Sequence, residues 1–291
     1  MLLPHFVIFC IGAFAFGCCI ASFLNVCIWR IPRNESVVLP PSHCPKCNAL
    51  IKWYQNVPIV SWCCLRGRCA NCRQPISVRY TIVEALGGVL FLATFLQWGS
   101  PALMGTPPPF GMAPIRTFWM VPALWLVSAG LILGSFIDLA EYWLPDRVTI
   151  GGMVLGVPAS FLIPELQGLH GGPCSLPALY WSLGGLAFGF GFIWLVGFVF
   201  SKVFRKDALG FGDVKLMGAV GAFFGPVPVL FVLIASSFVG AAIGVALIAR
   251  GKARLGGFTA VPYGPMIAVG IWLWTYWGPG ILHWYLGVFG K

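Results

Sequence analysis

Val227-Pro-Val-Leu-Phe-Val-Leu-Ile-Ala-Ser-Ser-Phe-Val-Gly-Ala-Ala-Ile-Gly-Val-Ala-Leu-Ile-Ala249 runs without a single charged side chain. At ~1.5 Å of rise per residue, a helix of this length crosses the ~30 Å hydrocarbon core of a bilayer. Further apolar stretches run roughly 5–29, 81–98, 118–137, 148–164, 178–200, 213–225 and 261–286, separated by Pro/Gly clusters or charge. The composition agrees: of 291 residues, 59% are hydrophobic and 9% charged, against ~25% charged in a soluble domain. With 37 Gly, 24 Phe and 13 Trp, the chain reads as an all-α polytopic membrane protein with about eight transmembrane helices. The stretch that starts at Asp213 is too short to cross. It is expected to begin or end inside the bundle.

The first stretch reaches no basic residue before Arg30 and has no small-residue cleavage site after it, so it reads as an uncleaved helix. Alternating the loops between two sides places 30–80, 138–147, 201–215 and 250–257 together. Those loops hold every Lys and Arg except Arg116 and Lys291. The positive-inside rule makes them cytoplasmic and puts both termini outside. The net charge of +10 is thus mainly a topology signal and calls for no nucleic-acid partner; attraction to anionic lipid is the other reading. Pro107, Pro108 and Pro109 form a short rigid spacer in an outer loop, and the sequence shows no internal repeat.

Three divisions follow: the first helix (1–30), a polar and basic insert (31–78), and a seven-helix membrane domain (79–291). The insert is too small to bury much of a core, and such domains usually need a staple. Cys44-Pro-Lys-Cys47 and Cys69-Ala-Asn-Cys72 supply one. On a reducing side, paired CxxC turns favour a metal over disulfides, and four thiolates suit structural tetrahedral zinc. Redox-active turns are the alternative. Cys63 and Cys64 lack the paired spacing; Cys10, Cys18, Cys19 and Cys27 read as helix packing, and Cys174 as an unexplained thiol in an outer loop.

A carboxylate beside lipid is costly and is a functional candidate by default. Asp138 closes the third helix in Gly134-Ser-Phe-Ile-Asp138-Leu-Ala-Glu-Tyr-Trp-Leu-Pro-Asp146, and Asp213 opens the sixth in Gly210-Phe-Gly-Asp213-Val-Lys215. Both fall at the cytoplasmic edge on different helices. Carboxylates that meet in a partly dehydrated site share one proton, so one acts as base and the other as acid. Such a pair can activate water against a peptide carbonyl and protonate the leaving amine. Gly210 and Gly212 permit close backbone approach beside Asp213. A helix N-cap is the plainer reading of Asp213.

These residues resemble the type IV prepilin peptidase family. The resemblance is carried by Ser22-Phe-Leu-Asn25-Val, Arg30-Ile-Pro32, Pro41-Ser-His-Cys44-Pro-Lys-Cys47, Trp53-Tyr-Gln-Asn56-Val-Pro58, Leu65-Arg-Gly67 and the second CxxC. It continues through Arg79-Tyr80 with Glu84, the Asp138 to Asp146 segment, and Gly210-Phe-Gly-Asp213-Val-Lys215. It implies Asp213 as one catalytic aspartate and Asp138 as the other, with Asp146 as runner-up; in its own right Asp146 reads as a turn or helix cap. It also implies cleavage after a glycine that ends a short basic leader of prepilins or type II secretion pseudopilins, in the bacterial inner membrane. Methylation of the new α-amino group by S-adenosylmethionine would follow. No Gly-X-Gly-X-X-Gly in a strand-turn-helix context supports that second activity.

Asn25, Arg30 and Glu84 are polar groups at the same face, with Glu84 either holding a substrate amine or pairing with Arg79. Lys215 either places substrate carboxyl groups or snorkels to headgroups. Two other functional classes compete. A proton-coupled transporter would need acids near the midplane and matching broken helices, and a zinc-bearing scaffold would leave the aspartates as caps.

Overall fold

A computed structural model describes residues 2–104, 114–169, 172–204, 210–251 and 261–289. Pro107 to Pro109 and the basic residues Arg205, Lys206, Lys252, Arg254 and Lys291 of the loop and topology readings lie outside these residues. Among the described residues the secondary structure is helical. Each expected apolar stretch falls on a helix: α1 (Leu2–Arg30), α3 (Val78–Thr94), α5 (Pro114–Glu141), α6 (Asp146–Leu162), α7 (Leu176–Phe204), α8 (Phe211–Phe224), α9 (Pro226–Ala249) and α10 (Gly264–Phe289). Two short helices, α2 (Val60–Cys64) and α4 (Ser100–Met104), complete the set, with a π-turn at Phe95–Gly99 joining α3 to α4. Helices dominate because lipid offers no hydrogen bonds, so each backbone group must bond within its own segment. Among the described residues, five spans are long and apolar enough to cross a membrane: His5–Arg33, Val78–Gly99, Thr117–Glu141, Leu176–Val203 and Pro226–Ala249.

The chain forms two compact units. The first comprises Met1–Thr106 with Val121–Leu133 from the middle of α5. Here α1 packs along α3, and the contact is close because it is made of small residues: a Cβ on Gly17 would lie 2.5 Å from the Gly87 carbonyl oxygen. Without a hydrophobic drive between helices in lipid, such close van der Waals approach carries the association. Trp125 stacks on Phe91 at 4.9 Å and donates its indole N–H to the Phe91 carbonyl at 3.0 Å.

The second unit comprises Pro107–Met120 and Gly134–Lys291, and α8 is its centre. Every residue of α8 from Leu216 to Phe224 is buried, because α6, α7, α9 and α10 all pack against it. A helix apolar all round belongs in such a place. Its 14 residues reach only ~21 Å, so it ends inside the bundle, as its sequence length implied. The buried carbonyls of that end, which lack partners within the helix, are satisfied by side chains of its neighbours. Ser160 of α6 donates to the Ala222 and Phe223 oxygens at 2.9 Å each, and Ser182 of α7 donates to the Ala222 oxygen at 2.6 Å.

Candidate active site and metal centre

Asp138 lies in the last turn of α5 with 6% of its surface exposed. Its Oδ2 accepts the backbone N–H of Gly264, the first residue of α10, at 2.9 Å. That N–H belongs to the first turn of a helix and has no carbonyl of its own helix to bond, so a carboxylate is a fitting partner. Asp213 occupies the first turn of α8, and its carboxylate accepts the N–H of Gly210. The N-cap is Gly210, not Asp213. The N-cap reading of Asp213 is corrected in position only: the residue lies within the first turn, and its carboxylate reaches back to the N-cap N–H, as in a capping box. Asp138 and Asp213 interact electrostatically.

Leu144 sets the spacing around the pair. Its side chain is buried and occupies the space beside three glycines on three elements. A Cβ added to Gly134, Gly212 or Gly264 would come within 3.2, 3.0 or 3.2 Å of it. Gly212 is therefore a packing glycine, and Gly210 is one by virtue of the Asp213 carboxylate, whose Oδ2 would lie 3.2 Å from its Cβ. Asp146, the first residue of α6, has a 62% exposed side chain and pairs with Lys215 Nζ at 2.6 Å. Ser135, one turn before Asp138, is buried with a hydroxyl that has no partner among the described residues.

Gly264 escaped the sequence reading. Its signal was Val261-Pro-Tyr-Gly-Pro265, a glycine wedged before a proline at a helix start.

The remaining polar candidates lie in the first unit. Arg30 is buried and donates to the Ser36 and Pro40 carbonyls at 2.9 and 2.7 Å. Asn25 donates to the Tyr80 carbonyl at 3.1 Å. Glu84 accepts the backbone N–H of Ile59 at 2.8 Å. These contacts hold backbone; for Glu84 the bond to Ile59 N–H is found where the sequence left open a substrate amine or an Arg79 pairing.

Cys44, Cys47, Cys69 and Cys72 converge, with all four sulfurs within 4.8 Å of one another. Cys44 and Cys72 Sγ are 3.9 Å apart, against an edge of ~3.8 Å for a tetrahedron with Zn–S bonds of ~2.3 Å. The four can hold a metal ion. Each CxxC turn is built the same way, which the sequence did not reveal as a repeat. Cys44 N–H donates to Ala49 and Asn48 N–H to Cys44, while Cys69 N–H donates to Gln74 and Arg73 N–H to Cys69. Bridges His43 to Leu50 and Arg68 to Pro75 close the two turns. The Ala49 N–H, then the Asn71 amide, lower the Cys47 thiol to about 6. The Cys72 and Asn71 N–H groups lower that of Cys69. Cys72 moves to about 11: the Gln74 N–H favours its thiolate, but desolvation and the neighbouring sulfurs outweigh it.

The fold and these two groups of residues define an all-helical membrane protein with two interacting aspartates and a four-cysteine cluster. Residues 15–98 match the Bacterial Peptidase A24 N-terminal domain, and residues 125–245 match the Type IV leader peptidase family. A prepilin leader peptidase/N-methyltransferase of Myxococcus xanthus is 38% identical over 84% of this chain, and the match spans 65% of that protein's length. One of the same name from Xanthomonas campestris is 31% identical over 94% of this chain and 93% of its own, and one from Legionella pneumophila is 32% identical over 98% and 96%. The chain belongs to the type IV leader peptidase family. No solved structure matches it.

Proposed function

We propose that this chain is an intramembrane aspartyl endopeptidase that removes the short basic leader of type IV prepilins or type II secretion pseudopilins and then N-methylates the new terminus. The observation that carries this reading is the interacting pair, Asp138 and Asp213, each held by a backbone N–H. A proton shared by the two carboxylates leaves one free to take a proton from water as the water attacks the scissile carbonyl, while the other protonates the departing amine. The N–H groups of Gly264 and Gly210 fix the carboxylates, so little reorganisation accompanies the reaction. Exposure and a bond to Lys215 argue for leaving Asp146 out of this pair; that bond joins the start of α6 to the second turn of α8.

S-adenosylmethionine would supply the methyl group. The described residues contain no strand, hence no strand-turn-helix glycine loop of the kind that seats nucleotides. Methyl transfer rests on family membership, and no residue is assigned to it. The four-cysteine cluster is read as structural zinc, since four protein ligands leave no open position.

The basic loops support placing the site at the cytoplasmic face of the bacterial inner membrane, with both termini outside and 31–78 as a cytoplasmic domain between 1–30 and 79–291. The deciding experiment is incubation of the reconstituted protein with a prepilin-like peptide. Leader release by wild type, with none by well-folded Asp213→Asn, is the expected result. Release at the wild-type rate by that variant would end the aspartyl reading.

A further inference from the structure

We propose that the insert between α1 and α3 docks on the bilayer through exposed apolar side chains on two arms, and that anionic phospholipid headgroups are its partner. The first arm is the loop that Arg30 holds. Arg30 ends α1, within the span His5–Arg33, and its bonds to the Ser36 and Pro40 carbonyls fold the loop back beside the helix end. Between those carbonyls Val38 is 76% exposed and Leu39 66%.

The second arm is fixed by Glu84, which lies ~9 Å along α3 from its first residue. Its bond to the Ile59 N–H brings that backbone to the level of the span Val78–Gly99. Val60 beside Ile59 is 56% exposed, and Trp53 and Tyr54, just upstream, are 83% and 51% exposed. Apolar groups placed in water at that depth cost free energy, and aromatic rings are at home at the headgroup level. Both arms are therefore tied to the edges of membrane-spanning helices and present the residue types that the interface accepts.

Charge selects the partner. The insert carries Arg33, Lys46, Lys52, Arg66, Arg68 and Arg73 against the single acid Glu35, and all six basic side chains are exposed. An anionic headgroup layer attracts that surface, whereas a basic leader peptide is repelled by it. The inference rests on the membrane spans and does not depend on the peptidase reading.

The test uses the full chain in nanodiscs of phosphatidylcholine alone and of phosphatidylcholine with phosphatidylglycerol. Amide exchange of 53–60 should be about tenfold slower in the anionic bilayer, and high salt should remove the difference. A benzoylphenylalanine photoprobe replacing Trp53 should capture phospholipid. The Lys46→Gln, Lys52→Gln, Arg66→Gln triple variant should lose the lipid dependence while keeping its metal content, which separates lost docking from an unfolded insert. Equal exchange in the two bilayers would overturn the proposal. So would capture of added prepilin, or of this chain, without a phospholipid adduct.

Discussion

Gly264 N–H donates to Asp138 Oδ2 at 2.9 Å across 126 residues of sequence. The start of the last helix thereby fixes a carboxylate carried by α5. A Cβ on Gly264 would lie 2.8 Å from that oxygen and 3.2 Å from Leu144, too close unless the carboxylate or Leu144 moves. Gly264→Ala should therefore lower leader release by about 100-fold, the scale of an ångström-sized misplacement. Methylation of a precleaved peptide measured on the same preparation should persist.

Asp138→Asn and Asp213→Asn each keep side-chain size and remove the ionisable group. Cleavage by either variant should fall ~100 to 10,000-fold, and the double variant should be little worse than one, because the pair acts as a unit. Single-turnover assays of leader release check both statements. Additive losses would show that the two aspartates act separately.

The Asp146–Lys215 ion pair involves an aspartate that is 62% exposed, and such pairs contribute only ~0 to 1 kcal/mol. Asp146→Asn should keep most of the wild-type cleavage rate, and its thermal midpoint should move little. Loss of cleavage comparable to Asp138→Asn would make Asp146 the second acid.

Purified protein should contain one zinc by elemental analysis. The Cys47 thiol is lowered to about 6 and the Cys72 thiol raised to about 11, so metal binding at neutral pH releases protons from the cluster. Metal affinity should accordingly rise with pH and fail in acid, since the ligands are thiolates. Chelator competition at pH 6 and pH 8 reads this directly. Affinity independent of pH would argue against thiolate ligation.

Glu84→Ala removes the acceptor of the Ile59 N–H. Ile59 sits at φ +63°, a conformation that a β-branched side chain tolerates only when surroundings impose it. The variant should lose about 1 to 3 kcal/mol of local stability. Faster hydrogen exchange confined to the residues around Ile59 is the expected signature, and Glu84→Gln should restore part of the protection.

The helices and the four-cysteine cluster were legible in the sequence for a local reason. In lipid, the length and apolarity of a segment decide that it is helical, because its backbone must bond to itself; a CxxC turn likewise carries half of its metal site within four residues. That α8 is too short to cross could be counted directly, yet its carbonyls depend on Ser160 and Ser182, which come from other helices. Only the tertiary structure shows that Glu84 and Arg30 hold the backbone of the insert, that Asp146 faces Lys215, and that Gly264 meets Asp138. A polar side chain's residue type states which bonds it can make, but its partner is set by the packing of segments that lie far apart in the chain. Sequence singled out the carboxylates that close or open apolar segments, whereas helix packing decided that Asp138 and Asp213 interact while Asp146 pairs with Lys215.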